Sequence, residues 1–597
     1  MRKIIADIII ETLEENGIEQ AYCVVGGGAM FLNNSLSKSK SIKTIFNHHE
    51  QACSIAAEGY AKVKDNLALC LVTSGPGGTN ALTGVMGAYQ DGIPMIVISG
   101  QVRWNTTVNE CGLNLRRRGE QEFDIINTVK TMTKYSKMLT DPQLVKYEVQ
   151  KAIAVAKSGR RGPVWLDIPL DIQSSSVDDE GLIQYENSYE LVSCSDTDFN
   201  ELIKEIKQSR SPLIIAGSAI SSTHSHEVFR KAIQKWKIPV VGANIVSDVL
   251  SFDDELYYGT SGTCGTRTAN YLVSNSDCIL VLGCSLGFKQ TTFSQQAFAR
   301  NAKIIMVDIN PDEAKKPGLN IYKFINCDIS IILQRISNSE AIHAPDNWIS
   351  YCNKLKSKFQ LFESALNDCN FRVHSNNFWR EYFYKEPEKN ITILGNNSGI
   401  IPKLQYGHRC KNQRIVANLN CGSMGYDLPA AIGACTASKK EVVLVTGDGS
   451  IMMNLQEFQT IVTNKLPIKI VVFSNDGYRG IEQTCKNYFG GRNFGCTPES
   501  GISFPSFENV IKAFGIKYNK CSTNGEIPKA LDWLFSCEGP CFLELLQLHD
   551  NPITPVLKPK LKSDGTSENL LYECMYPFLD EKEHKQCMFI LDSTNNS

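Results

Sequence analysis

The chain has 597 residues, of which 42% are hydrophobic and 21% charged, and its formal net charge is -2. A single core stops growing at about 250–300 residues, so we expect several domains. The near-neutral charge offers no field for nucleic acid, and no segment has the apolar continuity of a membrane helix, so we predict neither kind of partner.

The N-terminus and the cysteines indicate in which cellular compartment the protein is located. Arg2 and Lys3 precede an isoleucine-rich run, but Asp7 and Glu11 interrupt it, which favours an amphipathic first helix over a signal peptide. The 21 cysteines are scattered without CxxC pairs, and several lie in apolar runs such as LALCLV. We predict reduced core cysteines and a cytoplasmic protein.

Three regions in turn alternate short apolar runs with helical patterns. The first contains AYCVVG, LALCLVTSG, PMIVISG and PVWLDIP, and a polar linker follows it. The second contains PLIIAGS, IPVVGAN, CILVLG and KIIMVDI, and the third contains ITILGNNSG, EVVLVTGDG, IKIVVFSND and PCFLELL. This rhythm predicts βα units and parallel sheets.

We therefore predict an α/β fold of three domains, each a doubly wound, mainly parallel sheet. The expected boundaries are 1–172, 190–338 and 370–555, followed by an irregular tail over 556–597 that ends in a disordered STNNS. The second domain is predicted to be Rossmann-like. We also expect the first and third sheets to be similar.

The segment Gly447-Asp448-Gly449-Ser450 follows the predicted strand EVVLVT, and the next strand ends at Asn475. Open parallel sheets bind ligands at the carboxyl ends of their strands. Asp448, Asn475 and the backbone oxygen of Gly477 form a hard-oxygen set that suits Mg²⁺, and the glycines let the backbone approach a diphosphate. GDG alone would indicate only a tight turn, but this arrangement favours a metal and diphosphate site.

At these residues the chain resembles the thiamine-diphosphate-dependent enzymes, and the spacing from Asp448 to Asn475 is similar to that of the acetolactate synthase branch. The resemblance runs from about residue 4 to about residue 550. It implies pyrimidine-binding, central and diphosphate-binding domains in that order, with thiamine diphosphate and Mg²⁺ as cofactors.

The segment His48-His49-Glu50-Gln51-Ala52, continued by SIAAEGYAK, resembles the family's HEQAA…AEGYAR signature. The resemblance implies that Glu50 shares a proton with N1′ of the cofactor's aminopyrimidine. It also implies a homodimer or homotetramer in which this glutamate serves the site of a partner subunit. Alternatively, Glu50 is an exposed helix residue. His49 is a further catalytic candidate, with a structural histidine as the alternative.

Further motifs complete the predicted site. SGPGGTN resembles the family's glycine-rich strand-to-helix turn, with generic packing as the alternative. LNCGSMG resembles a cofactor-binding segment of the family, and Gln121 in RGEQEFDI is similar to a glutamine near the reacting centre. Met424 is implied to support the bent cofactor, although a methionine is more often a core residue. The predicted cofactor-binding residues are Gly26, Glu50, Gly75, Gly422, Met424, Gly447, Asp448, Gly449, Ser450, Asn475 and Gly477.

The chain departs from acetolactate synthases where substrates are selected. GCSLGFKQTT stands in place of an arginine-bearing stretch, with Ser285 and Lys289 at the arginine positions, and Thr484 stands where many members have tryptophan. A long loop carries Arg116-Arg117-Arg118, which suits phosphate or diphosphate, although a solvated charge run is the default interpretation. The departures resemble acetolactate-synthase-like proteins of surface-polysaccharide synthesis.

We therefore predict decarboxylation of a 2-keto acid, with pyruvate as the leading donor, and transfer of the acyl unit to a carbonyl acceptor such as a nucleotide-linked keto sugar. The alternatives are acetolactate synthesis, simple decarboxylation and a non-catalytic nucleotide-binding module. Gly262 to Arg267 resembles a segment that contacts FAD, with Cys264 in place of histidine, so both FAD binding and a flavin-free central domain stay open.

Overall fold

The computed structural model describes residues 2–244, 246–362, 365–549, 551, 554–561, 567–568 and 571–589. The predicted disordered end, STNNS, lies outside these residues. Within them no helix combines the length and the apolar character that a membrane span requires.

The N-terminal region contains one six-stranded parallel sheet in the order β3-β2-β4-β5-β7-β6, and an antiparallel pair of β1 with β8. Its strands are β1 (Arg2–Ile4), β2 (Gln20–Cys23), β3 (Lys43–Phe46), β4 (Leu69–Val72), β5 (Met95–Gln101), β6 (Tyr135–Met138), β7 (Pro163–Pro169) and β8 (Ser176–Asp178). Its helices are α1 (Ile5–Glu15), α2 (Met30–Lys38), α3 (Glu50–Val63), α4 (Pro76–Asn80), α5 (Leu82–Asp91), α6 (Val108–Cys111), α7 (Ile125–Val129), α8 (Val145–Lys157) and α9 (Leu170–Ser174).

The central region contains a second six-stranded parallel sheet, in the order β12-β11-β9-β13-β14-β15, which is the 3-2-1-4-5-6 order of a Rossmann fold. Its strands are β9 (Pro212–Ala216), β10 (Trp236–Lys237), β11 (Val240–Gly242), β12 (Tyr257–Thr260), β13 (Cys278–Leu282), β14 (Lys303–Asp308), β15 (Ile321–Asn326) and β16 (Ile342–His343). Its helices are α10 (Asp196–Gln208), α11 (Ala219–Ser222), α12 (His226–Lys235), α13 (Arg267–Asn275), α14 (Phe288–Thr291), α15 (Ile329–Asn338) and α16 (Asp346–Lys358).

The C-terminal region contains the third six-stranded parallel sheet, in the order β18-β17-β19-β20-β22-β21. Its strands are β17 (Ile391–Leu394), β18 (Arg414–Ala417), β19 (Val442–Gly447), β20 (Ile468–Ser474), β21 (Lys517–Cys521) and β22 (Cys541–Leu546). Its helices are α17 (Ser375–Lys385), α18 (Ile401–Tyr406), α19 (Asp427–Ser438), α20 (Asp448–Ile451), α21 (Glu457–Thr463), α22 (Arg479–Tyr488), α23 (Phe507–Ala513) and α24 (Ile527–Ser536).

The first and third sheets have the same connectivity, since numbering the six strands of each sheet along the chain gives 2-1-3-4-6-5 in both. The predicted α/β fold of three parallel sheets flanked by helices is thus confirmed. The central strands of each sheet are buried along most of their length, as expected when helices cover both faces. The predicted residue limits of the three domains stay predictions.

The described tail contains β23 (Lys560–Leu561), β24 (Ser567–Glu568) and α25 (Glu581–Gln586). Several of its residues between 571 and 589 contact the central region. The buried carboxylate of Glu573 pairs with both terminal nitrogens of Arg300, at 2.7 and 2.8 Å, and Tyr572 donates to the carbonyl oxygen of Gln290 at 2.7 Å. A bidentate pair of this kind fixes the direction of the chain as well as its position.

Helix α3 of the first region packs directly on α19 of the third. Glycines make this approach close, because a Cβ atom on Gly59 would lie 2.5 Å from the carbonyl oxygen of Ala430, and one on Gly433 would overlap the carbonyl oxygen of Ala56. The two sheets are therefore held together through backbone contact between these helices.

We expect Gly433→Ala to lower the thermal unfolding midpoint, because the added methyl group must push α3 and α19 apart. Overpacking of this kind costs about 1–3 kcal/mol. Gly480→Ala is the matched control, since a Cβ atom there meets no atom within 4 Å and α22 gains helix propensity. Equal midpoints for the two variants in differential scanning calorimetry would contradict this packing.

Candidate cofactor and metal site

Asp448 lies at the junction of β19 and α20, where the strand ends and the GDGS turn begins. Its buried carboxylate accepts hydrogen bonds from the backbone nitrogens of Gly449 at 2.8 Å, Asn475 at 2.7 Å and Asp476 at 2.8 Å. Burial raises the pKa of Asp448 to about 6, although these three donors oppose the rise. The side chain thus joins the carboxyl ends of β19 and β20.

Asn475 presents the second predicted metal ligand. Its Nδ2 donates to Oε1 of Gln547 at 2.8 Å, whereas its buried Oδ1 has no hydrogen-bond partner in the part of the chain described. A buried amide oxygen without a partner is costly, and a cation would satisfy it. At Gly477 a Cβ atom would overlap the carbonyl oxygen of Cys496, so only glycine fits the third position.

These oxygens fit Mg²⁺ better than a softer metal. Across the described ranges no group of three or more His, Cys, Asp and Glu side chains comes together. A metal here would therefore depend on the Asp448 carboxylate with the amide and carbonyl oxygens of Asn475 and Gly477, a donor set that suits a hard cation.

Residues 419–425, here called the Met424 loop, lie against the GDGS turn of residues 447–450. Gly422 and Gly425 have positive φ values of 64° and 80°. The backbone nitrogen of Gly425 donates to Oγ of Ser450 at 3.0 Å, and a Cβ atom on Gly449 would lie 3.2 Å from Cε of Met424. The structure thus brings together the predicted residues of the Met424 loop, the GDGS turn and Asn475.

Glu50 is the first residue of α3. Its Oε2 accepts a hydrogen bond from Nδ2 of Asn80 at 2.9 Å. His49 caps the helix, because its Nδ1 accepts from the backbone nitrogen of Gln51 at 3.1 Å. The capping contact occupies Nδ1 of His49, so only Nε2 is left for proton transfer. The predicted catalytic role of His49 stays a prediction.

The start of α3 meets the third region within the single chain. Asn454 Nδ2 donates to Oε1 of Gln51 at 3.2 Å and to the carbonyl oxygen of Gly425 at 2.6 Å. Glu457 accepts from Nδ2 of Asn47 at 2.8 Å and from the backbone nitrogen of His48 at 3.0 Å. Among the residues described, no hydrogen bond joins Glu50 to Asp448 or Asn475.

Two close approaches explain predicted glycines of the first region. Gly75 has φ +59°, and a Cβ atom there would overlap the carbonyl oxygen of Gln121, which itself has φ +62°. A Cβ atom on Gly26 would lie 2.5 Å from Cβ of Thr73. Gln121 therefore lies directly beside the turn that begins α4, the helix whose last residue, Asn80, binds Glu50.

A cavity of about 340 Å³ lies where the three regions meet. Its lining includes Arg160 and Arg161 from the first region, Asp308 from the second and Asn420 from the third. Ser285 and Lys289 also line it, and Nζ of Lys289 donates to the carbonyl oxygen of Leu419 at 3.1 Å. The two replaced arginine positions thus lie at this cavity, which is also lined by Leu419 and Asn420 just before Met424 in the sequence.

The segment expected to contact FAD has other partners. The backbone of Thr263 binds the carbonyl oxygen of Lys289 at 2.8 Å and the nitrogen of Leu557 at 2.8 Å. Arg267 donates to the carbonyl oxygen of Met575 at 3.0 Å, and Cys264 does not belong to the cavity lining. Thr484 is exposed on α22.

Three residues that contact Asn475 or Glu50 were not predicted from the sequence. Arg479 donates from Nε to the carbonyl oxygen of Asn475 at 2.8 Å, Gln547 binds the side chain of Asn475, and Asn80 binds Glu50. Asn80 closes the SGPGGTN motif and Arg479 stands four residues after Asn475 at a helix start, so both carried a local signal. Gln547 follows a strand that pairs with β20 only in the folded sheet.

The fold and the candidate site define an α/β protein with two sheets of equal connectivity and an oxygen-rich ligand site at the carboxyl edge of one of them. Family models extend this result. Residues 4–127 match the thiamine pyrophosphate enzyme N-terminal TPP binding domain, residues 199–336 the central domain and residues 397–545 the C-terminal TPP binding domain. The chain belongs to the thiamine pyrophosphate enzymes.

Its relatives place it near one group of these enzymes. It is 27% identical over 595 residues to the chloroplastic acetolactate synthase of Arabidopsis thaliana, covering 95% of this chain and 84% of the relative. It is 28% identical over 578 residues to the acetolactate synthase large subunit of Lactococcus lactis subsp. lactis, covering 94% and 95%. It is 29% identical over 565 residues to a probable acetolactate synthase large subunit of Methanococcus aeolicus, covering 90% and 91%. The chain thus resembles acetolactate synthase.

We expect Asp448→Asn to weaken thiamine diphosphate binding in the presence of Mg²⁺ by at least about tenfold, because a carboxylate with charge-assisted hydrogen bonds is lost. Asp476→Asn is the control, since that side chain is 59% exposed. Equilibrium titration followed by tryptophan fluorescence measures both. Parent-like affinity in Asp448→Asn would rule out this metal site.

Proposed function

We propose that the protein uses thiamine diphosphate and Mg²⁺ to decarboxylate a 2-keto acid, pyruvate being the leading donor, and transfers the acyl unit to a carbonyl acceptor. The observation that carries the proposal is the buried Oδ1 of Asn475, which has no hydrogen-bond partner among the described residues and lies beside the Asp448 carboxylate. It lies in the matched C-terminal TPP binding domain, at the carboxyl edge of the sheet, where a metal-bound diphosphate would bind.

Each predicted residue has a physical task in this proposal. When bound, thiamine diphosphate would supply a nucleophilic carbon for the keto group and a cationic thiazolium ring that can accept the electron pair left by CO₂. Asp448, Asn475 and Gly477 would hold Mg²⁺, and the GDGS backbone would hold the diphosphate. Glu50 would hold a proton at N1′ of the aminopyrimidine through Oε1, because Oε2 is bound by Asn80.

A second copy of the chain would complete the site in a homodimer or homotetramer. Val25 lies two residues beyond β2, Met30 begins α2 and Phe46 ends β3, and their side chains are 60%, 47% and 56% exposed in the single chain. Large apolar side chains exposed in this way are typical of an interface. The predicted cytoplasmic location stays a prediction.

For the acceptor we propose a nucleotide-linked keto sugar, which would place the protein in surface-polysaccharide synthesis. The first support is the loss of both arginines at Ser285 and Lys289, which removes the expected bidentate clamp for a second keto-acid carboxylate. The second is Thr484, which stands where many acetolactate synthases have the tryptophan that helps select the acceptor. Acetolactate formation is the alternative favoured by the names of the relatives. Simple decarboxylation and a non-catalytic nucleotide-binding module are the remaining alternative functions.

The test is incubation of the protein with thiamine diphosphate, Mg²⁺ and pyruvate, with and without nucleotide-linked keto sugars, followed by mass spectrometry. We expect CO₂ release and an acetylated sugar product. Efficient acetolactate formation without sugar would overturn the proposed acceptor, and free acetaldehyde alone would indicate simple decarboxylation.

Glu50→Gln is the matched control for catalysis, because it keeps the shape of the side chain and the hydrogen bond from Asn80 but cannot hold the N1′ proton. Proton exchange at C2 of the bound cofactor, followed by NMR, should be lost in this variant. Absence of exchange in the parent protein itself would favour the non-catalytic module.

We further propose that the cavity of about 340 Å³ binds FAD. It lies at the carboxyl edge of the 3-2-1-4-5-6 sheet, Asp308 ends β14 there, and Arg160 and Arg161 supply positive charge for a diphosphate. We expect the purified protein to show a visible flavin spectrum and to release FAD on denaturation. A colourless protein that gains no bound flavin from added FAD would instead indicate a flavin-free central domain.

A further inference from the structure

Residues 103–123, here called the arginine loop, are folded around one carboxylate. Glu122 accepts hydrogen bonds from the backbone nitrogens of Val108 at 2.5 Å, Arg118 at 2.6 Å and Gly119 at 3.0 Å. Three donors on one side chain hold distant parts of the loop together. The arginine loop therefore has a defined shape, although all of its residues from 112 to 118 are exposed.

The C-terminal end of the loop is anchored in the core. Nε2 of Gln101 donates to the carbonyl oxygen of Phe123 at 2.9 Å and to Oδ2 of Asp167 at 3.0 Å. Asp167 is fully buried and also accepts from Oγ of Ser99 at 2.6 Å. This end of the loop thus cannot move without breaking a buried hydrogen-bond network.

The three consecutive arginines differ in their contacts. Arg118 is part of the loop structure, since its Nη1 donates to the carbonyl oxygen of Thr107 at 2.9 Å and to Glu110 at 3.0 Å. Arg116 and Arg117 are exposed, and neither makes a hydrogen bond or ion pair within the described ranges. Glu120 carries an opposing charge close to the two arginines in sequence, and its side chain makes no hydrogen bond or ion pair with the loop among the described residues.

The position of the loop relates these two arginines to the proposed reacting centre. Gln121 contacts Gly75, which precedes α4, and the last residue of α4 binds Glu50. Arg117 stands four positions before Gln121, a span of at most about 13 Å. An anion held by Arg116 and Arg117 would therefore lie close to Gln121 and to the proposed reacting centre.

We propose that Arg116 and Arg117 bind a phosphate or diphosphate group of the acceptor. The inference rests on the proposed acyl transfer and names the chemical class of its second substrate. Guanidinium groups bind phosphate oxygens in a bidentate manner. The carboxylate of the donor does not suit this position, because it is attached directly to the reacting carbon and leaves as CO₂.

The test uses the holoenzyme saturated with thiamine diphosphate and Mg²⁺, with inorganic phosphate and inorganic pyrophosphate as probes in calorimetric titrations. Loss of two charge-assisted contacts should weaken pyrophosphate binding at least about tenfold in Arg116→Gln/Arg117→Gln. Glu120→Gln should strengthen binding, because it removes the opposing charge. Lys204→Gln/Lys231→Gln, with the same change in net charge on exposed lysines of the central region, should bind as the parent does.

Equal affinity in the parent and in the double arginine variant would overturn the inference, as would binding that disappears in Asp448→Asn but persists in the arginine variant. The single variants Arg116→Gln and Arg117→Gln provide the same comparison if the double variant unfolds. CO₂ release from pyruvate by the parent separates the two proposals: without release the proposed function itself fails, whereas release with unchanged pyrophosphate affinity refutes only the role of the arginines.

Discussion

The buried carboxylate of Asp448 is the contact on which the candidate site depends. It accepts from the first backbone nitrogens beyond β20 and from its own turn, so two neighbouring strand ends share one anion. This arrangement directs the Asn475 side chain and the Gly477 backbone toward the same edge of the sheet. Without it no shared hydrogen-bond acceptor would hold the loops after β19 and β20 in place relative to each other. The Met424 loop would also lose the turn against which it packs.

The second constraint is the backbone contact of α3 with α19. It places the start of α3, and hence Glu50, next to residues that follow the GDGS turn. The cofactor candidates on the two sheets are thus related by helix packing rather than by a direct bond between them. Glycine and alanine at the contact are what allow the two helix backbones to come so close.

The apolar runs in the sequence predict the interior strands of each six-stranded sheet and miss the edges. In each sheet the two outer strands were not predicted. They are β3 and β6 in the first sheet, β12 and β15 in the second, and β18 and β21 in the third. Strands such as Lys43–Phe46 and Lys517–Cys521 leave several residues exposed, so they lack the continuous hydrophobic run of a doubly covered strand. β12 is buried at all four residues but reads YYGT, without an aliphatic run, so local pattern identifies continuous apolar runs rather than strands as such.

The same limit applies to the site. Motif residues such as Asp448, Asn475 and Met424 could be selected from sequence because they stand in short, recognisable segments. Gln547 could not, because its contact with Asn475 depends on the pairing of β20 with β22. His49 shows the converse, since a residue selected for chemistry is also bound as a helix cap.

The shared 2-1-3-4-6-5 connectivity of the first and third sheets has a consequence for how this chain arose. Two sheets of one chain with the same strand order are what an internal duplication leaves behind. After such an event each copy is free to lose what the other retains. The third strand of the first sheet, β4, leads into the glycine turn GPGG, whereas its counterpart β19 leads into GDGS, so equivalent strand ends carry a candidate metal ligand in one copy and none in the other.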